Sequence, residues 1–255
     1  MVHRRNLSRG ALLLTISCFV TGMPVFADTL NIAVASNFSH TLKVLSAEFE
    51  KQSGHLPRIS SASTGQLYNQ IQHGAPFDVF LAADEKRPDL LLAEDRALKS
   101  SGYVYASGRL VLLSNISPAG SCDKVLTSPA LQRLALANTK TAPYGEAAMQ
   151  ALKNMGLWQT LKPRLVTGEN VAQTLQFVTT ENAQAGFVAK SMLSMAKNID
   201  AACTWDVPAN LYSPIRQKMV VLKRAVDKAA ALEFLKYIQS VQAREIIRAA
   251  GYDVL

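Results

Sequence analysis

Cysteine, histidine, aromatic residues and long apolar runs are all scarce in this 255-residue sequence, which has three Cys, four His and 7% aromatics. Beyond residue 27 nothing approaches the ~18 uninterrupted apolar residues that a membrane-spanning helix needs. HExxH, Walker A and GxSxG motifs are missing, which removes the commonest signatures of zinc proteases, nucleotide hydrolases and serine esterases. His40, His55 and His73 have no metal-ligand spacing and are expected to face solvent. No two tyrosines are adjacent, as an iron site would want, and Asp84-Glu85 is a carboxylate pair whose members point apart in a turn. No basic run is interleaved with aromatics, so nucleic-acid binding is not expected.

What is present begins with a leader. Arg4, Arg5 and Arg9 form a basic region, Ala11 to Val20 an apolar one, and Val25-Phe26-Ala27 a small-residue cleavage site before Asp28. Residues 1–27 are therefore expected to be a cleaved signal peptide. Cys18 follows Thr15-Ile16-Ser17, a poor lead-in for lipid attachment. The leader holds three of the 27 basic residues and none of the 19 acidic ones, which leaves the exported chain at a mild +5. A weak positive field speeds the arrival of a small anion. Two cysteines remain, Cys122 and Cys203. In an oxidising compartment such a pair can form a disulfide, with two isolated thiols as the alternative.

The chain is organised around Ile59 to Asp84. A short strand runs into Ser60, Ser61, Ser63, Thr64 and Gly65. An apolar helical pair, Leu67 and Ile71, follows, and a second strand, Val79 to Ala83, then enters Asp84. The hydroxyl-rich turn sits at a helix N-terminus, where backbone N–H groups lack partners and the dipole favours negative charge. It contains no Lys or Arg, so an oxyanion would be held by neutral donors.

The same unit recurs. Leu30 to Ala35 leads into Ser36-Asn37, both preferred N-cap types, and a helix with Phe38, Leu42, Leu45 and Phe49 on one face. Leu134 to Asn138 leads through Ala142-Pro143-Tyr144-Gly145 into a helix. Arg164 to Val166 leads through Glu169-Asn170 to a helix starting near Val171. The spacing also predicts a helix from Glu85 to Ser100, a strand Leu110–Leu113, a strand Ala185–Ala189, a last strand Met219–Leu222 and two C-terminal helices, with Val241 on the first. Alternating strands and helices indicate an α/β fold with largely parallel sheets. Ligands in such folds sit beyond the carboxyl ends of strands. Four such turns in two blocks would face each other across a cleft. Those turns lack the Arg and acid that an amino-acid ligand needs, although Lys140 and Lys190 lie near the cleft.

Ala33-Val34-Ala35-Ser36-Asn37-Phe38, Ser63-Thr64-Gly65, the run Gly74 to Lys86, Ala142-Pro143-Tyr144-Gly145, Asn170-Val171 and Gly186-Phe187-Val188 together resemble the periplasmic molybdate-binding proteins of ABC importers. The resemblance covers nearly all of the exported chain, and Gly74 to Lys86 is its most specific stretch. It implies a type II periplasmic binding protein fold, with two lobes that are each a mostly parallel sheet flanked by helices. Residues 28–108 would form the first lobe, 109–215 the second, and 216–255 the return to the first. It implies capture of molybdate or tungstate in the cleft by Ser36, Asn37, Thr64, Tyr144 and the backbone of Val171, with Ala83 and Ser63 as weaker candidates. Some members carry a ligand tyrosine where this chain has Ala189, and a small residue where it has Tyr144, so this sequence resembles a branch with the tyrosine relocated. The further expectations are a monomer without cofactor or enzymatic activity that serves a membrane permease from the periplasm. A receptor for sulfate or another tetrahedral oxyanion, and an exported hydrolase of an anionic substrate, are the alternatives.

Overall fold

Apolar strands that end in small polar residues build two five-stranded sheets in the computed structural model, which describes Met1, residues 28–196 and residues 201–254. The signal-peptide expectation lies outside the described residues, apart from Met1. In the first sheet β1 (Thr29–Ala35) lies between β2 (Leu56–Ala62) and β3 (Val79–Leu81), parallel to both. The return strand β10 (Ile215–Val221) runs antiparallel between β3 and β4 (Tyr103–Gly108). The second sheet repeats this plan. There β6 (Leu134–Ala137) lies parallel between β7 (Leu165–Gly168) and β8 (Ala185–Ala189). Antiparallel to β8 is β5 (Leu110–Ser114), whose other edge pairs with β9 (Cys203–Asp206). Each sheet thus has one reversed strand, β10 or β5, among four that point the same way.

The helices pack where their apolar stripes dictate. On one face of the first sheet, α1 (Ser39–Ser53) buries Leu42, Leu45 and Phe49 against α7 (Ala229–Ile238) and α8 (Val241–Ala249). The other face is covered by α2 (Thr64–Gln72) and α3 (Lys86–Ala93), which bring Leu67, Ile71 and Leu91 onto Phe80 and Val220. The second sheet is flanked by α4 (Pro143–Asn154), the short α5 (Trp158–Leu161) and α6 (Val171–Thr179). Cys122, at the start of a 3-10 turn, is joined to Cys203 on β9 by a disulfide with a Cα–Cα distance of 5.7 Å.

Several local expectations need correction. The helix expected over 85–100 is shorter: α3 ends at Ala93, because Asp95 adopts a left-handed φ of 56° and Leu98 leaves toward a separate turn. Val241 is not on the first C-terminal helix. It opens α8 after the Ser240 cap and is 73% exposed. His55 does not face solvent. It is buried, accepts from the Asp28 N–H and lies 3.4 Å from Glu233.

The chain passes between sheets twice, from Gly108 to Leu110 and from Asp206 to Ile215. At the first crossing Arg109 pairs with Asp253 at 2.6 Å, and Ser107 and Asp253 exchange backbone hydrogen bonds. The C-terminal tail is thereby fastened to the link between the lobes.

Candidate functional site

The carboxyl ends of β1, β2 and β3 in one lobe meet the segments that follow β6 and β7 in the other. Between them Ala35, Ser36, Asn37, Ser63, Thr64, Ala83, Ala142, Pro143, Tyr144 and Val171 line a small pocket with an open mouth. All seven sequence-predicted site residues line it. Ala189, at the end of β8, does not. Nor do Lys140, which is exposed, and Lys190, whose ammonium pairs with Asp206 at 2.6 Å. Among the described residues no charged one is in the wall.

Each residue offers the cavity something different. Ser36 and Asn37 are held not as side-chain N-caps but in a 3-10 turn between β1 and α1. Among the described residues the Ser36 hydroxyl has no hydrogen-bond partner in the protein. Thr64 opens α2 and Val171 opens α6, so their backbone N–H groups have no intrahelical acceptor. Asn170 caps α6, its Oδ1 accepting from the Ala172 and Gln173 N–H groups at 3.0 and 3.1 Å. Thr64 Oγ1 accepts from the Ala83 N–H at 3.0 Å, which leaves the threonine hydroxyl proton free and uses up the Ala83 donor. The Ser63 hydroxyl donates to Gln66 Oε1 at 2.8 Å, so its proton is also spent.

Tyr144 reaches the cavity from α4 and is 2% exposed. Its ring tip fits against the end of β4 because residue 108 is glycine: a Cβ there would stand 2.0 Å from Tyr144 Oη. Burial pushes the Tyr144 phenol well above its ordinary value of 10.0, so it stays a neutral donor at physiological pH. Tyr105 and Tyr252 behind it are shifted upward for the same reason.

Behind the wall lies a polar layer that sequence reasoning missed. Gln217 on β10 is fully buried. Its Oε1 accepts from Asn37 Nδ2 at 2.9 Å and from Tyr105 Oη at 3.1 Å, and its Nε2 donates to Tyr144 Oη at 3.3 Å. Tyr252 accepts from Asn37 Nδ2 and Ser191 and donates to the Asn37 carbonyl. The one signal in the sequence was a lone amide at an inward position of the alternating run Ile215, Gln217, Met219.

At the cleft mouth the lobes touch through backbone. Gly65 N–H donates to the Thr141 carbonyl at 2.8 Å, and Arg87, held by an ion pair with Asp84, donates to the Lys140 carbonyl at 2.9 Å. Gln66 donates to Glu169 across the same seam.

Comparison with known proteins follows from this geometry. The chain is 43% identical over 230 residues to the molybdate-binding protein ModA of Azotobacter vinelandii, covering 89% of this chain and 91% of that one. It is 40% identical over 231 residues to ModA of Rhodobacter capsulatus, covering 90% of each. The solved structure of the periplasmic molybdate-binding protein of A. vinelandii superposes with a TM-score of 0.83 at 38% identity, covering 89% of this chain and 99% of that one. The architecture is thus the two-lobed periplasmic binding protein fold. Residues 30–253 match the model of the bacterial extracellular solute-binding proteins, and the chain belongs to that family.

Proposed function

We propose that this protein is the periplasmic receptor of an ABC importer, that it captures molybdate or tungstate between its lobes, and that it delivers the anion to a membrane permease. The observation that carries this reading is the convergence of donors from both lobes on one small cavity without a charged wall. The relatives named above, similar over about nine-tenths of the chain, support the same ligand. The space suits a compact ion of a few atoms. The hydroxyls of Ser36, Thr64 and Tyr144 and the backbone N–H groups of Asn37, Thr64 and Val171 would hold the oxygens, with Ser63 and Ala83 shaping the wall.

Energetics and release both fit. A hydrogen bond to a charged group contributes roughly 1.5–3 kcal/mol. Several of them offset desolvation and lobe ordering and leave the ~8–12 kcal/mol of micromolar to nanomolar binding. Neutral donors give up their cargo without breaking a strong ion pair. With no carboxylate in the wall, a protonated oxyanion such as hydrogen phosphate finds no strong acceptor for its proton. The role needs no cofactor and no turnover, and one site per chain suits a monomer.

Calorimetric titration of residues 28–255 with molybdate, tungstate, sulfate and phosphate tests the proposal. One-to-one binding of the first two, with the others silent, is the expected result. Equal binding of sulfate would keep the oxyanion cleft but move the ligand, and turnover of a phosphate or sulfate ester would replace the receptor with a hydrolase.

A further inference from the structure

Tyr144 presents a problem of direction. A phenol both donates and accepts, and only the donating orientation serves an anion. Nothing in the wall of the cavity decides between the two.

Gln217 does. It lies outside the wall, on the strand by which the chain returns from the second lobe to the first. The register of β10 against β4 shifts between Gln217 and Lys218, and such a bulge re-aims a side chain. The Gln217 amide is fixed on its oxygen side by Asn37 Nδ2 at 2.9 Å, whose own orientation is set by Tyr252, which accepts from the same Nδ2 and gives its proton to the Asn37 carbonyl. Tyr105 Oη, its ring packed on Phe38 at 4.7 Å, also lies 3.1 Å from Oε1, but its one proton is shared with the Ala82 carbonyl at 3.0 Å, so Asn37 is the partner that decides. With Oε1 so occupied, Nε2 must be the end that faces Tyr144, 3.3 Å away. Tyr144 Oη then accepts from Gln217. Among the described residues no protein acceptor remains for its own proton, although the side chain is 2% exposed and lines the cavity.

We propose that Gln217 is a positioning residue that sets the polarity of the anion site: by donating to Tyr144 it turns the Tyr144 hydroxyl proton toward the bound oxyanion, and by accepting from Asn37 it holds the other lobe's contribution in register with it. The inference rests on the oxyanion-receptor reading. It assigns to one buried amide, contacting Asn37 of the first lobe and Tyr144 of the second, both the direction of a hydrogen bond and the alignment of two lobes.

Gln217→Glu separates this role from packing, because it keeps the shape and reverses the hydrogen bond. The carboxylate would accept the Tyr144 proton and add negative charge behind the site. Molybdate affinity of residues 28–255, measured by calorimetry at pH 8, is expected to fall about 10- to 100-fold, the worth of a hydrogen bond to a charged group. Affinity should recover toward wild type at each lower pH down to about 5.5, as the carboxyl is protonated and again offers a donor. Gln217→Met should lower affinity at all these pH values alike. Its effect should shrink in the Tyr144→Phe background, where there is no hydroxyl to orient.

Wild-type affinity or a pH-independent loss in Gln217→Glu would overturn the proposal, and so would an equal effect of Gln217→Met in both backgrounds. If Gln217→Glu does not fold, as judged by its melting curve, the Gln217→Met cycle decides alone. Failure of the wild type to bind molybdate would instead remove the receptor reading on which the proposal rests.

Discussion

Tyr144 concentrates what the site does at the level of single residues. Its phenol is buried, its proton is held well beyond the ordinary range, and among the described residues no carboxylate lines the cavity to compete for it. Tyr144→Phe should therefore weaken molybdate binding by roughly 10- to 100-fold, and it should also lower the melting temperature, because it takes from the buried Gln217 Nε2 its acceptor. Burial raises the phenol's pKa, so the donor is fully present at every pH below its ordinary value of 10.0. The wild-type advantage over Tyr144→Phe should accordingly be flat from pH 6 to 9, and calorimetry at three pH values would check it. A ratio that changed across that range would mean another group titrates in the site. Ser36 and Thr64 stood out in the sequence as small polar residues at strand-to-helix turns, whereas Tyr144 was implied by the resemblance to the molybdate-binding proteins. Gln217 and Tyr252 did not stand out, because a single polar residue in an apolar strand, or near the chain end, looks the same whether it faces solvent or a buried network.

Among the elements, the site is made by strand-to-helix units, and α6 is the most economical of them. Asn170 ties down two N–H groups of its first turn, which leaves the N–H of Val171, a residue that lines the cavity, outside the cap. Asn170→Ala should cost about 1 kcal/mol and lower the melting temperature by about 2–4 °C, with a few-fold loss of molybdate affinity as the turn loosens. Asn170→Asp should keep the cap and the melting temperature yet still bind more weakly, since its charge offsets the positive helix end. Parallel melting and titration curves would reveal both effects; wild-type affinity in both variants would mean that Val171 contributes no hydrogen bond. These units were readable because helix caps and apolar periodicity are local. The reversal of β5 and β10 was not, because side-chain alternation is the same in either strand direction. The early end of α3 was hidden by the leucines at 90, 91, 92 and 98, which imitate a continuing stripe while Asp95 turns the chain.

The molecule as a whole must bring its two lobes together closely enough for donors from each to meet one ion, and that closeness has a visible limit. Gly65 donates to the Thr141 carbonyl across the cleft mouth, and a Cβ on it would stand 2.9 Å from Thr141 Cα and 3.0 Å from Arg87 Nη2. The arginine end can swing away, but the Thr141 backbone belongs to the opposite lobe and cannot move without opening the cleft. Sequence could suggest a glycine after Ser63-Thr64 as a turn residue; that it is needed for contact between lobes depends on two segments some 75 positions apart. Within the first lobe alone an alanine is harmless, because Gly65 sits in the first turn of α2 and alanine favours helix by up to ~1 kcal/mol over glycine. Gly65→Ala should thus leave the ligand-free melting temperature unchanged or slightly raised. Overpacking in the closed form costs about 1–3 kcal/mol, so molybdate affinity should fall roughly 5- to 150-fold. Small-angle scattering would separate the causes, since the variant should compact less than wild type when saturated with molybdate. If it binds and compacts as wild type does, the seam at Gly65 is not where closure is limited, and the Arg87 and Gln66 contacts beside it must carry that role.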